Sequence, residues 1–361
     1  MSAPNAKQPE RPSDLSFPRI DWSAVNRVLF VRLRSIGDTV LLTPSLRVLK
    51  QFKPGIEISV VSEPYSAPLL ENHPLVDRLL TVAPNTSSRI KLVISCRRAR
   101  FDVAFNVHGG PTSNLITAFS GAKRTVGYGD YRYASLLKLR ANAPDKILGR
   151  PDVHSVEQQM ALMNWTGVPW PEQPPALHVE VSDEARAMIT SRLAAAGLES
   201  TGFAIVAPAA AAESKRWPAD RFADVVEHLG SYWRMRSVVI AGPGQERVAE
   251  DVAAASTPAP AVITGISLKE LVALTSLASL FVGNDSGPMH IAAALGRPIV
   301  AVFGSSSPTV WHPWTESPYR VLEPPQSKGE SMENPAALIP SRVVLAAVDE
   351  VIEAAVSAGT L

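Results

Sequence analysis

Short apolar runs alternate with amphipathic stretches along most of the chain. That alternation is the mark of βα units built around a parallel sheet. In the first half it predicts buried strands over 27–33, 57–61 and 101–107, and helices over 40–51 and 113–120. Residues 128–139 are rich in aromatic and basic side chains and read as irregular or extended. Pro169, Pro171, Pro174 and Pro175 then crowd one stretch. Proline fixes φ and removes a donor, so this stretch is a loop and part of a link between domains. After it the alternation restarts, with strands over 203–207, 237–241, 280–282 and 298–303 and helices over 222–229 and 246–255. Ser267, with Glu270 three residues on, has the form of a capping box opening a further helix. Residues 324–340 are polar and loop-like, and an amphipathic helix closes the chain over 343–358.

Two doubly wound sheets in series predict an α/β protein with two Rossmann-like domains facing a central cleft. The expected divisions are a loose N-terminal tail, 1–24, a first domain, 25–172, a second domain, 173–340, and a last helix, 341–361, that could cross back to the first domain. Ligands of such sheets sit outside the carboxyl ends of the strands.

Composition narrows the function. The 361 residues are 46% hydrophobic and 19% charged, ordinary for a globular protein with a sizeable core. A net charge of +1 gives no global attraction for nucleic acid, although Cys96-Arg97-Arg98-Ala99-Arg100 is a local basic cluster. The single cysteine rules out an internal disulfide and a multi-cysteine zinc site. The tail lacks a signal-peptide core, and no stretch reaches the roughly 18 apolar residues of a membrane span. A cytoplasmic protein with no nucleic-acid partner is expected.

Two turns concentrate polar chemistry. The first, Arg34-Ser35-Ile36-Gly37-Asp38, follows the first strand. Gly37 would let the backbone tighten or admit a ligand, and Asp38 suits either a general base or a helix N-cap, with spacing alone favouring the cap. The second, Val282-Gly283-Asn284-Asp285-Ser286-Gly287-Pro288-Met289-His290, runs from a strand into an alanine-rich helix. Backbone N–H groups converge at such a helix start, where the dipole favours a phosphate. Ser286 and Gly287 are candidates to hold phosphate oxygens, or to be an ordinary cap. Asp285 would repel a phosphate, so it is assigned to a sugar hydroxyl or to fixing the turn. His290, one turn on, is either a ligand donor or a packed histidine. Gly242-Pro243-Gly244 begins like a dinucleotide fingerprint but lacks its third glycine.

The string 32–40, Arg-Leu-Arg-Ser-Ile-Gly-Asp-Thr-Val, resembles the opening motif of the ADP-heptose lipopolysaccharide heptosyltransferases, glycosyltransferase family 9. In order come His73-Pro74-Leu75-Val76-Asp77-Arg78, Phe101-Asp102 through His108-Gly109-Gly110, His154-Ser155-Val156-Glu157, Ser214-Lys215-Arg216-Trp217-Pro218, and the stretch from Asn284 to His290. The ordered set, not any one motif, is specific. The resemblance implies the GT-B fold and an inverting, metal-independent transfer of heptose from ADP-heptose to a hydroxyl of the lipopolysaccharide inner core. It implies Asp38 as base and Lys215, with Ser214 beside it, at the departing diphosphate. It places Ser35 and Gly37 around the substrate, Glu246 at the ribose, though as a helix residue it equally suits a solvent-facing position, and Ile266 where the family sets adenine against backbone. No cofactor is implied beyond ADP-heptose as donor substrate. The acceptor would be a lipid-linked saccharide, with at most peripheral contact with the inner membrane.

Two stretches depart from the family. Ala209-Ala210-Ala211-Ala212 replaces residues that could touch phosphate, and methyl groups donate no hydrogen bonds. Pro111-Thr112-Ser113-Asn114 lacks basic character. Three other readings remain open: a glycosyltransferase with another nucleotide sugar or a protein acceptor, a non-catalytic nucleotide-sugar binding protein, and a nicotinamide-dependent dehydrogenase. The first turn's lack of Gly-x-Gly-x-x-Gly counts against the last.

Overall fold

The computed structural model describes residues 20–198, 202–325 and 333–360. The chain divides into two compact units, Met1–His178 and Val179–Leu361.

The first unit carries six parallel strands: β1 (Arg27–Val31), β2 (Glu57–Ser62), β3 (Arg78–Thr81), β4 (Val103–Asn106), β5 (Arg124–Tyr128) and β6 (Leu139–Ala141). Their order is β3-β2-β1-β4-β5-β6. Central β1 is paired on both sides, so that Val28 stands opposite Ile58 and Val103. A strand covered on both faces must be apolar throughout, which is why Val28 to Val31 are all buried. The helices are α1 (Ile36–Val40), α2 (Thr43–Phe52), α3 (Thr86–Ala99), α4 (Pro111–Phe119), α5 (Pro144–Leu148) and α6 (Ser155–Trp165).

Two expectations change here. The helix read over 40–51 is two helices, because Pro44 has no N–H to continue a helical ladder from Val40. The Val40 carbonyl instead accepts from the Thr43 hydroxyl at 2.8 Å. The tail expected over 1–24 lies outside the described residues up to 19, but its end is docked. Trp22 is buried, stacks on Phe105, and donates its indole N–H to the Thr166 carbonyl at 3.0 Å.

The second unit repeats the plan. Its strands are β7 (Phe203–Ala207), β8 (Arg236–Ile240), β9 (Ala261–Ile263), β10 (Leu280–Asn284), β11 (Ile299–Val302) and β12 (Tyr319–Leu322), in the order β12-β11-β10-β7-β8-β9. Its helices are α7 (Asp183–Ala195), α8 (Ala219–Ser231), α9 (Glu246–Ala255), α10 (Leu268–Leu277), α11 (Gly287–Ala294), α12 (Pro308–Trp311) and α13 (Ser341–Ser357). Ser267 caps α10 and forms the capping box with Glu270, whose carboxylate accepts from the Ser267 N–H at 2.8 Å. The closing helix α13 buries Val344, Val348 and Val351 in one core with Phe222, Val225 and Val282, so it lies on the second sheet. Within the polar stretch 324–340, residues 326–332 lie outside the described residues, and Pro335–Leu338 form a short 3-10 turn.

Both sheets therefore wind outward from a central pair, β1 beside β4 and β7 beside β10. The strand order reverses at that pair, and the loops leaving its carboxyl ends diverge to opposite faces of the sheet. This topological switch point is where open α/β sheets bind ligands.

Candidate active site

At the first switch point, the loop after β1 carries Ser35, Gly37 and Asp38, and the loop after β4 carries His108, Gly109 and Gly110. Ser35, not Asp38, is the N-cap of α1, and Asp38 is the third helical residue. The expected alternative of an N-cap aspartate is thus replaced by a capping box. Asp38 Oδ2 accepts from the Ser35 N–H and hydroxyl, each at 3.0 Å. Its Oδ1 accepts from Arg32 Nη1 at 3.1 Å. The Arg32 side chain is only 6% exposed, against 19% for that of Asp38, so the guanidinium depends on this carboxylate for charge compensation. Gly37 lies buried in the same first helical turn and tightens no separate loop.

Across the switch point a buried amide network fixes the second loop. Asn106 Oδ1 accepts from the N–H groups of His108 and Gly109, at 3.1 and 3.2 Å. Asn106 Nδ2 donates to Asn114 Oδ1 at 2.6 Å, and Asn114 Nδ2 donates to the Arg132 carbonyl at 2.7 Å. Gly109 has φ +81, and a Cβ there would come 2.8 Å from the Tyr131 ring. A side chain would thus be strained in backbone and blocked in space. Burial pushes the His108 imidazole down to about 4, Arg32 adds to that shift, and Asp38 opposes it. The imidazole is therefore neutral at pH 7. Sequence reasoning missed Arg32, Asn106, His108 and Tyr131 as a group. The signals for Arg32 were a charge at the end of an apolar strand and its place at the head of the family-like string 32–40.

His108 has a folded-state value of about 4 against 6.5 when unperturbed. Below 6.5 the unfolded chain takes up a proton that the folded chain refuses, so stability is full above 6.5 and declines as pH falls toward about 4. His108→Gln is expected to flatten that decline in urea unfolding followed at successive pH values. An unchanged decline would assign it to other groups.

At the second switch point, Ser214 and Lys215 lie in a 3-10 turn after β7, and Asp285, Ser286 and Gly287 follow β10. Lys215 Nζ donates to Asp285 Oδ2 at 2.7 Å, and the Ser306 hydroxyl donates to the same oxygen at 2.5 Å. The Asp285 side chain is 6% exposed and that of Lys215 30%. The two residues assigned separate partners from sequence are thus partners of each other. Of its three N–H donors the ammonium gives one to Asp285. Ser214 and Ser305 share a hydroxyl–hydroxyl bond at 2.9 Å. A Cβ on Gly304 would come 2.2 Å from the Ser214 carbonyl oxygen, so only glycine lets the loop after β11 press against this turn. Asn284, fully buried, accepts from the Trp217 N–H at 3.0 Å and donates to the Pro208 carbonyl at 2.7 Å, tying the β10 end to the β7 loop. Ser305, Ser306 and Asn284 were not foreseen as site residues.

Ser286 is the N-cap of α11, and its hydroxyl is buried without a hydrogen-bond partner. His290 is buried one turn further on. Glu246 begins α9 after β8, and its carboxylate accepts from the Gly244 N–H at 3.1 Å. Ile266 is half-buried just before the Ser267 cap. These two residues occupy the loops after β8 and β9, along the same carboxyl edge as Lys215 and Ser286. The alanine run does not approach the ammonium through any polar side chain. Its Ala210 carbonyl accepts from Gln245 Nε2 at 2.7 Å.

The family model for glycosyltransferase family 9 (heptosyltransferase) matches residues 89–338. Lipopolysaccharide heptosyltransferase 3 of Escherichia coli (strain K12) is 27% identical over 300 residues, covering 79% of this chain and 84% of the relative. Lipopolysaccharide heptosyltransferase 2 of the same strain is 28% identical over 302 residues, covering 78% and 84%. A family 9 glycosyltransferase from Veillonella parvula DSM 2008 superimposes with a TM-score of 0.81 at 25% identity, over 91% of this chain and 97% of that one. The structure of E. coli ADP-heptose lps heptosyltransferase II gives a TM-score of 0.75 at 24% identity, over 91% and 98%. The twin sheets are those of the GT-B fold. With more than half its length inside the family model, this chain belongs to glycosyltransferase family 9 and is a glycosyltransferase.

Proposed function

We propose that the protein moves a heptose from ADP-heptose to a hydroxyl of the lipopolysaccharide inner core, with inversion at the anomeric carbon. The observation that carries this reading is the placement of one polar cluster at each switch point, a carboxylate in the first unit and an ammonium with a helix start in the second. Relatives named as lipopolysaccharide heptosyltransferases support the choice of sugar and acceptor.

In this reading the acceptor hydroxyl gives its proton to Asp38 as its oxygen bonds to the anomeric carbon. The bond from that carbon to the diphosphate oxygen breaks, and ADP leaves with the electron pair. Lys215 and the N–H groups at the start of α11 meet the developing charge, with the Ser286 hydroxyl beside them. Asp285 holds the ammonium in place and is itself screened from the diphosphate by it. Neutral His108 adds no charge beside Asp38. Glu246 and Ile266, farther along the edge, fit the nucleoside end of the donor. The acceptor is a lipid-linked saccharide, which sets the reaction on the cytoplasmic face of the inner membrane. No helix among the described residues is long and apolar enough to cross that membrane.

A second donor is favoured by one feature, the run Ala209–Ala212, which offers no hydroxyl to a phosphate. A melting screen decides between them, because a ligand bound only by the folded state raises the melting temperature by mass action. ADP-heptose is expected to raise it more than UDP-, GDP- or other ADP-sugars at equal concentration. A larger rise with a different nucleotide sugar would replace the donor in this reading.

A further inference from the structure

The basic cluster noted in the sequence lies away from both switch points, on α3. This helix starts at Asn85, whose side chain accepts from the Ser88 N–H at 2.8 Å, and ends at Arg100 in the left-handed region. Its inner face buries Leu92 and Cys96 against Ile116 of α4, so the two helices lie side by side on one face of the first sheet. Arg97 Nε donates to the Phe119 carbonyl at 3.1 Å and ties their ends.

The outer face sets exposed apolar side chains among cations. Ile90 is 56% exposed and Ile94 45%, and they sit four residues apart on one stripe. On α4, Leu115 and Phe119 repeat that spacing at 40% and 48% exposure. Single exposed apolar residues are ordinary, but two such pairs on adjacent helices form a patch. Cations surround it. One shallow hollow is lined by Arg78, Lys91, Ile94, Ser95, Arg98 and Ala99. A second is lined by Arg27, Ile94, Arg97, Arg98 and Arg100. Ile94 belongs to both hollows, so six cations ring one aliphatic side chain. Arg27 pairs with Glu57 at 3.2 Å, whereas Arg97 and Arg78 bond to the neutral oxygens of Phe119 and Ser95, which leave their charge uncancelled. In a chain of net charge +1 this is a local concentration of positive charge.

We infer that the α3–α4 face docks the protein on an anionic phospholipid bilayer, with the isoleucines, Leu115 and Phe119 entering the headgroup–acyl boundary and the surrounding cations meeting lipid phosphates. Aliphatic centre and basic rim match the two layers of such a surface. Long Arg and Lys stems cover apolar surface while their heads stay at the phosphates. Nucleic acid supplies the charge but has no site for four exposed hydrophobic side chains. The inference rests on the proposed reading, whose acceptor is lipid-linked, but vesicle binding itself is read without donor or acceptor.

The full chain is expected to sediment with vesicles of phosphatidylglycerol mixed with phosphatidylcholine, to ignore phosphatidylcholine alone, and to be released by salt. Each cation at an anionic surface contributes roughly fivefold in partitioning, so Lys91→Glu with Arg98→Glu is expected to lower binding by at least about twentyfold. Ile90→Ser with Ile94→Ser is expected to lower it as well. All four sites are exposed, and melting temperatures should match that of the parent. Transfer to a delipidated, water-soluble acceptor should be the same in all three proteins. A parent chain that ignores the anionic vesicles, or variants that sediment as well as the parent, would overturn the proposal and leave the patch to a protein partner. Absent transfer to the soluble acceptor with vesicle binding intact would count against the proposed reaction and not against this surface.

Discussion

Asp38→Asn is expected to lower the rate of heptosyl transfer by at least about a hundredfold, the usual worth of a positioned general base. The amide keeps an oxygen for Arg32, which now bonds to Asp38 at 3.1 Å, so the buried guanidinium retains an acceptor but loses its counter-charge. It loses the carboxylate oxygen that accepts from the Ser35 N–H and hydroxyl. That half of the capping box is worth about 1 kcal/mol. Stability and turnover should therefore separate. Ser35→Ala removes one bond of the same box but leaves the carboxylate opposite Arg32, and should lose less stability than Asp38→Asn while keeping transfer within several-fold. ADP affinity by calorimetry should be unchanged in both. If Asp38→Asn transferred heptose at nearly the parent rate, the carboxylate would be a capping residue and nothing more.

Lys215→Ala is expected to lower both stability and ADP affinity, for separable reasons. It leaves Asp285, nearly buried, with only the Ser306 hydroxyl of its two partners. Breaking a fully buried ion pair costs about 3–5 kcal/mol, and the 30% exposure of the lysine side chain brings this nearer to about 1–3 kcal/mol. Adding Asp285→Asn removes the stranded charge, so the double variant should recover much of that loss, and the pair should be strongly non-additive. Affinity should not recover. An ammonium beside a diphosphate makes charge-assisted bonds that the alanine cannot replace, and ADP binding is expected to weaken by at least about tenfold in single and double variants alike. Unchanged affinity in calorimetry would confine Lys215 to holding Asp285.

The sheet plan was legible because central strands of a parallel sheet are apolar on both faces, as in Val28 to Val31 and Leu280 to Val282. Edge strands were not. β3 is Arg-Leu-Leu-Thr and β12 is Tyr-Arg-Val-Leu, each too short and too mixed to stand out from loop. Helix α3 was missed for a related reason: its outer face carries isoleucines as well as arginines, which blurs the helical period. The N-cap of α1 could have been read. Ser35-Ile36-Gly37-Asp38 has the same spacing as Ser267 to Glu270, which was read as a capping box, and the same rule makes Ser35 the cap. The Lys215–Asp285 pair could not have been read. Its members stand 70 positions apart, and only the adjacency of β7 and β10 brings them together. The same holds for Arg32, His108 and Tyr131, which come from the ends of β1, β4 and β5, neighbours in the sheet although α1, α2, β2, β3 and α3 separate the first two in sequence and α4 the last two.

The central claim is that this glycosyltransferase hands a heptose from an ADP donor to an inner-core hydroxyl. The most direct measurement is mass spectrometry of a delipidated inner-core acceptor after incubation with the purified protein and ADP-heptose. The expected product is an acceptor heavier by one heptose, with an equimolar amount of ADP released. An acceptor left unmodified under ADP-heptose, but glycosylated when another nucleotide sugar is supplied, would contradict it.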